Sequence, residues 1–114
     1  MNLFLKDRLK ISFVSRFIEQ RMISADNRAL KEFRLTFPQY LVLLVLWDDN
    51  RILIKHIGER LGMGIGTLNP ILNRLEKQGW LTKEPSLLDK RAIIVALSEK
   101  AVTSKKAIHV AILS

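Results

Sequence analysis

Apolar residues along this chain follow two rhythms, a helical one of three to four residues and a strand-like one of two, and the switches between them mark its elements. Residues 3–33 read as helical. Leu9, Phe13 and Phe17 step by four, with Val14, Ile18 and Met22 in a second row, and Ser24 to Asn27 mark a break. This apolar surface is wide for a terminal helix; it fits a core helix of a monomer or a surface shared with another subunit. A second helix is predicted from Leu35 to Trp47. Thr36 is its N-cap, Gln39 completes a capping box, Pro38 stands in the first turn, and Leu35 and Tyr40 hold staple positions. The run LVLLVLW is apolar all round, which predicts the buried centre of a domain, and Asp48, Asp49 and Asn50 close it as a turn.

Arg51 to Leu53 is a short strand candidate. Ile54, Ile57, Gly58 and Leu61 then mark a short amphipathic helix ending at Gly62, Met63 and Gly64 make a tight turn, and a helix follows over Ile65 to Gln78. Two short helices joined by a glycine-containing turn form the helix-turn-helix pattern. In the second of them Leu68, Ile71, Leu72 and Leu75 make one buried stripe, and Gly79 is a left-handed stop. Pro70 places the first regular turn close before it, with Thr67 as a local cap. Trp80–Glu84 and Ala92–Leu97 read as two strands joined by a loop that opens with Pro85 and Ser86, a wing following directly on the helix pair. Ser98 caps a last helix through Leu113, with Val102, Ile108, Val110 and Ile112 as its apolar set and Lys105 and Lys106 to one side.

The face of the Ile65–Gln78 helix opposite its leucines carries Gly66, Asn69, Pro70, Asn73, Arg74 and Lys77. It holds amides, a guanidinium and an ammonium but no carboxylate, with Glu76 at its edge. Amides and guanidinium groups make paired hydrogen bonds to base edges. Composition strengthens that direction: 19 Lys and Arg against 11 Asp and Glu give +8, which implies nucleic acid first and a membrane surface or acidic protein second. At 114 residues and 48% apolar the chain is one ordered domain with its own core.

Other chemistries find little support. Without cysteine there is no disulfide, thiolate zinc site or thiol redox step. The two histidines, His56 and His109, lie far apart, and neither a metal-ligand motif nor a nucleophile with a base in motif spacing occurs, so no metal, no cofactor and no enzymatic activity is expected. Gly62, Gly64 and Gly66 read as a flexible turn and not a phosphate cradle, because no strand leads into them and no GK[ST] follows. The apolar run Tyr40–Trp47 is too short to span a bilayer, and the N-terminus has no signal-peptide core, which predicts a cytoplasmic protein away from membranes.

Taken together, LTFPQYLVLLVLW and IKHIGERLGMGIGTLNPILNRLEKQGWLTKEPSLLDKRAIIVALSEKA resemble the winged-helix transcription regulators of the MarR family, most of all its OhrR/SarZ branch. The resemblance covers residues 35–101 and rests on LT-aromatic-P/T-x-Y, GTL-x-P-x-L-x-x-L/M-E-x-x-G and D-x-R. It implies a mainly α winged helix-turn-helix with a small β-hairpin wing. It further implies a dimeric repressor on a pseudo-palindromic operator, with the Gly66–Gln78 helix in the major groove and the wing at Asp89–Arg91 in the flanking minor groove. Carried over residue by residue, Thr67 and Arg74 fall where the family contacts DNA, Lys83 at a basic strand position, and Asp89 and Arg91 at the wing pair. The OhrR branch senses peroxide through a cysteine in its first helix. That position is Ser12 here, and the tyrosines of that site fall at Asp26 and Phe37. Gly64–Ile65 replaces the Asp-Ser pair before GTL, and family members usually run longer, with a further C-terminal helix in the dimer interface.

The expectation is a sequence-specific regulator of double-stranded DNA, built as an N-terminal dimerisation helix (1–33), a winged-helix core (35–97) and a C-terminal dimerisation helix (98–114). Its DNA-binding residues are Gly66, Thr67, Asn69, Asn73, Arg74, Lys77, Lys83, Asp89, Lys90 and Arg91. Homodimerisation is expected, and the resemblance leaves room for a small-molecule effector of unspecified chemistry. The main rival is a protein-interaction or dimerisation module that has kept the fold without operator reading; an enzyme on an anionic substrate would need an acid or base that the sequence does not supply.

Overall fold

A computed structural model describes residues 28–113. Of the helical stretch predicted over residues 3–33, residues 3–27, with the break at Ser24–Asn27, lie outside them. The first described helix, α1 (Arg28–Glu32), buries Ala29 and Leu30 and packs on the last helix. It ends in a turn where the Leu35 N–H reaches the Leu30 carbonyl at 2.8 Å and Arg34 takes φ +59°, a left-handed conformation that costs a side-chain-bearing residue about 1 kcal/mol.

Helix α2 (Phe37–Asp48) starts as its sequence predicts. The Thr36 hydroxyl accepts from the Gln39 N–H at 3.3 Å, and the Thr36 N–H donates to Gln39 Oε1 at 2.9 Å. Pro38 lies in the first turn, where no intrahelical N–H is needed. Tyr40, Val42, Leu43, Val45 and Leu46 are buried, making this helix the centre of the molecule. Its end is fastened by Arg60, which donates to Asp49 Oδ2 at 2.8 Å and lies 3.6 Å from Asp48 Oδ2. The paired aspartates thus serve as an anchor for the next helix.

The sheet has the order β1-β3-β2 and is antiparallel throughout. Two-residue β1 (Ile52–Leu53) pairs Ile52 with Val95, and β2 (Leu81–Pro85) pairs with β3 (Ile93–Leu97) from Leu81↔Leu97 to Pro85↔Ile93. Pro85 closes an edge strand, where its missing N–H is tolerated. Arg51, predicted within the first strand, lies outside it at φ +61°, and the adjacent Asn50 Oδ1 accepts from both Arg51 N–H and Leu97 N–H, tying this corner to β3. Trp80, predicted to open the second strand, instead precedes it, buried, with the Lys100 ammonium 4.2 Å from its ring centre.

Helices α3 (Ile54–Leu61) and α4 (Ile65–Lys77) pack on each other, on α2 and on the sheet, α2 also touches β3, and α5 (Glu99–Leu113) packs against α1, α2 and β3. The Ser98 hydroxyl caps α5 by accepting from Ala101 N–H at 3.2 Å. Of the apolar set predicted for α5, Ile108 and Ile112 are buried and Val102 and Val110 are exposed, so the core stripe is completed by Ala101. Where α2 meets α5, Tyr40, Trp47 and His109 pack edge to face, and the Trp47 indole donates to the Ala101 carbonyl at 3.0 Å. Burial first, and then Lys105, lowers the His109 pKa, while burial pushes the Tyr40 hydroxyl up to about 12.

Candidate nucleic-acid interface

The geometry of the helix pair follows from a few small residues. Gly62 ends α3 at φ +68°, and its N–H and that of Met63 both turn back to the Gly58 carbonyl. At Gly58 the turn passes so close that a Cβ would lie 2.7 Å from the Met63 carbonyl oxygen. Only glycine lets α3 and the turn approach this closely. Gly64 then begins α4 with no side-chain cap, and the Thr67 and Leu68 N–H groups both reach its carbonyl, at 3.2 and 3.0 Å. Thr67 does not cap the helix, as the sequence had suggested; it stands exposed on the first turn. Pro70 lies inside α4, one turn from its start, where it cannot donate to the Gly66 carbonyl, and Gly66 is exposed, so the lost bond does not leave a buried acceptor.

Leu68, Leu72 and Leu75 fix the rotation of α4 by complete burial, each contributing about 1.5–3 kcal/mol. Gly66, Thr67, Asn69, Pro70, Asn73, Arg74 and Lys77 are consequently all exposed, together with Ile65. A polar relay fixes the far end of α4. Gln39, itself buried, donates to Gln78 Oε1 at 2.9 Å, and Gln78 Nε2 donates to the Arg34 carbonyl at 2.7 Å. The Lys100 ammonium reaches the Gln78 carbonyl at 2.8 Å, and the Ser98 hydroxyl donates to the Gly79 carbonyl at 2.6 Å. The α1–α2 turn, the α2 cap, the end of α4 and the start of α5 are thus one connected network. Local sequence patterns carry no sign of it, because the contacts that join these elements span 19 to 44 residues.

Lys83 occupies a different situation from the other basic residues. Its ammonium donates to Asn73 Oδ1 and stands 3.8 Å from Glu76 Oε1, with only 20% of its side chain exposed. An ammonium has no acceptor, so the Asn73 amide must turn its oxygen toward Lys83 and its NH₂ away. Beyond Pro85 the wing loop is closed at its neck by the Ser86 N–H on the Ala92 carbonyl at 2.8 Å. Asp89 Oδ1 accepts from the Arg91 backbone N–H at 3.0 Å and lies 3.7 Å from Arg91 Nε. Asp89, Lys90 and Arg91 are all exposed, Arg91 almost completely. The wing also presents Leu87 and Leu88, both fully exposed, which the sequence reading passed over as loop.

Among the described residues, no three His, Cys, Asp or Glu side chains gather as a metal site, and no helix is long and apolar enough to cross a membrane.

Comparison with known proteins places this arrangement. The organic hydroperoxide resistance transcriptional regulator of Bacillus subtilis is 39% identical over 82 residues, which are 71% of this chain and 56% of the regulator's own length. The HTH-type transcriptional regulator MgrA of Staphylococcus aureus is 33% identical over 101 residues, 87% of this chain and 67% of that protein. Reduced AbfR, solved bound to DNA, matches with TM-score 0.74 at 37% identity, over 96% of this chain and 78% of that one. MarR of E. coli, at 23% identity and TM-score 0.73 over 89% of this chain and 75% of that one, shares the winged-helix fold. The sequence pattern of the transcriptional regulator SarA/Rot family matches residues 26–108. With helix pair, wing, relatives and family pattern in agreement, this chain belongs to the SarA/Rot family of winged-helix transcriptional regulators.

Proposed function

We propose that this chain is a cytoplasmic, sequence-specific DNA-binding transcription regulator that acts as a homodimeric repressor on a pseudo-palindromic operator. The observation that carries this reading is the face of α4 that bears Gly66, Asn69, Asn73, Arg74 and Lys77, turned outward by three buried leucines with Glu76 at its edge beside Lys83, and followed directly by a wing in which Asp89 pairs with Arg91. A relative of the same fold, AbfR, has been solved on DNA. In this reading Gly66, Thr67, Asn69, Asn73 and Arg74 face base edges in the major groove, Lys77 and Lys90 meet phosphates, and Arg91 enters the flanking minor groove. Lys83 acts mainly by turning Asn73. With its oxygen engaged, Asn73 offers donors, which suits guanine N7 and O6 or a phosphate better than the paired contact to adenine. Residues 35–97 form the DNA-binding core, and the flanking segments 1–33 and 98–114 dimerise; the exposed Val102 and Val110 on α5 support this division. Two recognition helices about 34 Å apart would meet half-sites one helical turn apart. AbfR has also been solved in a disulfide form; a chain without cysteine has no such state, and its occupancy of DNA is independent of mild hydroperoxide.

The test is titration of Arg74→Ala and Lys77→Ala on a duplex selected by the protein and on its scrambled counterpart, at several salt concentrations. Arg74→Ala costs about 1–3 kcal/mol on the selected duplex and far less on the scrambled one. Lys77→Ala weakens both alike and lowers the salt slope by about one. A protein that does not distinguish the two duplexes would be an interaction module of the same fold. Sedimentation that finds monomer alone at high micromolar concentration, with and without DNA, would remove the dimer.

A further inference from the structure

We infer that Leu87 and Leu88 form an apolar wedge that the wing drives into the DNA minor groove, unstacking a base step at the operator flank. The inference rests on the DNA-binding reading above and adds to it a contact made by neither the recognition helix nor Arg91. Both leucines are 100% exposed, although the loop that carries them is held in shape. Its neck is closed from Ser86 N–H to the Ala92 carbonyl at 2.8 Å, the buried Ser86 accepts from Leu88 N–H at 3.2 Å, and Ala92 N–H donates to the Asp89 carbonyl at 2.9 Å. The leucines are therefore held away from the core by a hydrogen-bonded loop. Two adjacent leucines in water are unfavourable unless something covers them. The chemistry beside them selects the cover. Asp89 comes next, its charge offset by Arg91 at 3.7 Å, and Lys90 and Arg91 follow it, all exposed, while Lys83, further down the same hairpin, is tied to Asn73 on the outward face of α4. An apolar tip with a cationic shoulder, set beside a base-reading helix, matches the minor groove: phosphates along its rims, and sugar walls and stacked bases within. Leucine is among the side chains that proteins insert between base steps there.

The experiment uses the full chain and a selected duplex carrying 2-aminopurine at successive flanking positions, with a donor and acceptor dye pair at the duplex ends. Wild type should raise the 2-aminopurine emission severalfold at one flanking step and shorten the end-to-end distance. Leu87→Ala/Leu88→Ala should bind within about threefold of wild type, because the gain from burying leucine and the cost of unstacking a step are of similar size. That variant should abolish both optical signals. Wild-type binding without brightening or bending overturns the wedge and leaves the DNA-binding reading standing. Signals that survive in the variant also overturn it. A variant that alters sedimentation while the signals persist would assign the leucines to a protein contact. Failure of wild type to bind any selected duplex defeats the DNA-binding reading itself, and the wedge with it.

Discussion

Helix α4 and the wing stand side by side on the outward surface, and they are built in opposite ways. Helix α4 is set from behind, with Leu68, Leu72 and Leu75 wholly buried and its far end held by Gln39 and Ser98. The wing tip has no such backing. From Leu87 to Arg91 every residue is exposed, and short backbone and side-chain hydrogen bonds within the loop hold its shape. The contrast separates two kinds of residue. Behind α4, a change alters the fold and reaches any ligand indirectly. On the wing, a change leaves the fold intact and alters what the wing touches.

The largest effect should come from the centre of the α4 stripe. Leu72→Ala removes a fully buried side chain where α4 meets the core and should cost about 2–5 kcal/mol, read from urea denaturation at fixed protein concentration. A loss under 1 kcal/mol would mean that α4 is not fastened in this way. Gly58→Ala comes next. The new methyl group would meet the Met63 carbonyl at 2.7 Å, and backbone must move to admit it. Alanine gains about 1 kcal/mol in helix propensity over glycine. A net loss of about 1–3 kcal/mol is nevertheless expected, as for other overpacked sites. A neutral or stabilised variant would show that the α3–α4 turn is looser than described.

The polar relay should give a smaller loss. Gln78→Ala leaves the buried Gln39 amide and the Arg34 carbonyl without their partner and should cost about 1–2 kcal/mol. Gln39→Ala should cost more, because it also removes half of the α2 capping box. If the two act as one network, the double variant loses less than the sum of the single losses. Strict additivity would reduce the relay to two unrelated contacts.

Sequence alone showed α2 and α4 well, because their signals are local: a capping box spans three residues and a leucine stripe repeats every three to four. The outward face of α4 was legible as the remainder of that stripe, and all its predicted residues are exposed as expected. What escaped depends on packing between elements. Lys83 read as a basic strand residue, but the way β2 runs beside α4 brings it to Asn73 and Glu76. Gly58 read as a small residue on an amphipathic helix, and its necessity appears only when Met63 is placed against it. Val102 and Val110 shared the apolar rhythm of α5 yet face outward, since hydrophobic spacing cannot say which of two adjacent rows meets the core.

The smallest effect on stability, and the sharpest division between the two regions, should come at Asp89. Its carboxylate and the Arg91 guanidinium are both well exposed, and exposed pairs of this kind contribute little. Asp89→Ala should therefore change stability by no more than about 0.5 kcal/mol. Simple charge counting then predicts tighter DNA binding, because a negative group has been removed from a cationic tip. The geometry predicts the opposite. Asp89 Oδ1 accepts from the Arg91 backbone N–H at 3.0 Å, which sets the turn that carries the guanidinium, and its charge lies 3.7 Å from Arg91 Nε, which draws the guanidinium toward it. Asp89→Ala should weaken preference at the operator flanks in the same sense as Arg91→Ala but by less, and leave preference at the centre unchanged. Combined with Arg91→Ala it should add almost nothing, since no guanidinium remains to be oriented. Titration of the three variants on duplexes altered at flank or centre, with thermal melts alongside, distinguishes the cases. Tighter binding by Asp89→Ala would sink the orienting role, and a large drop in melting temperature would move Asp89 from the wing's class of residues to that of α4.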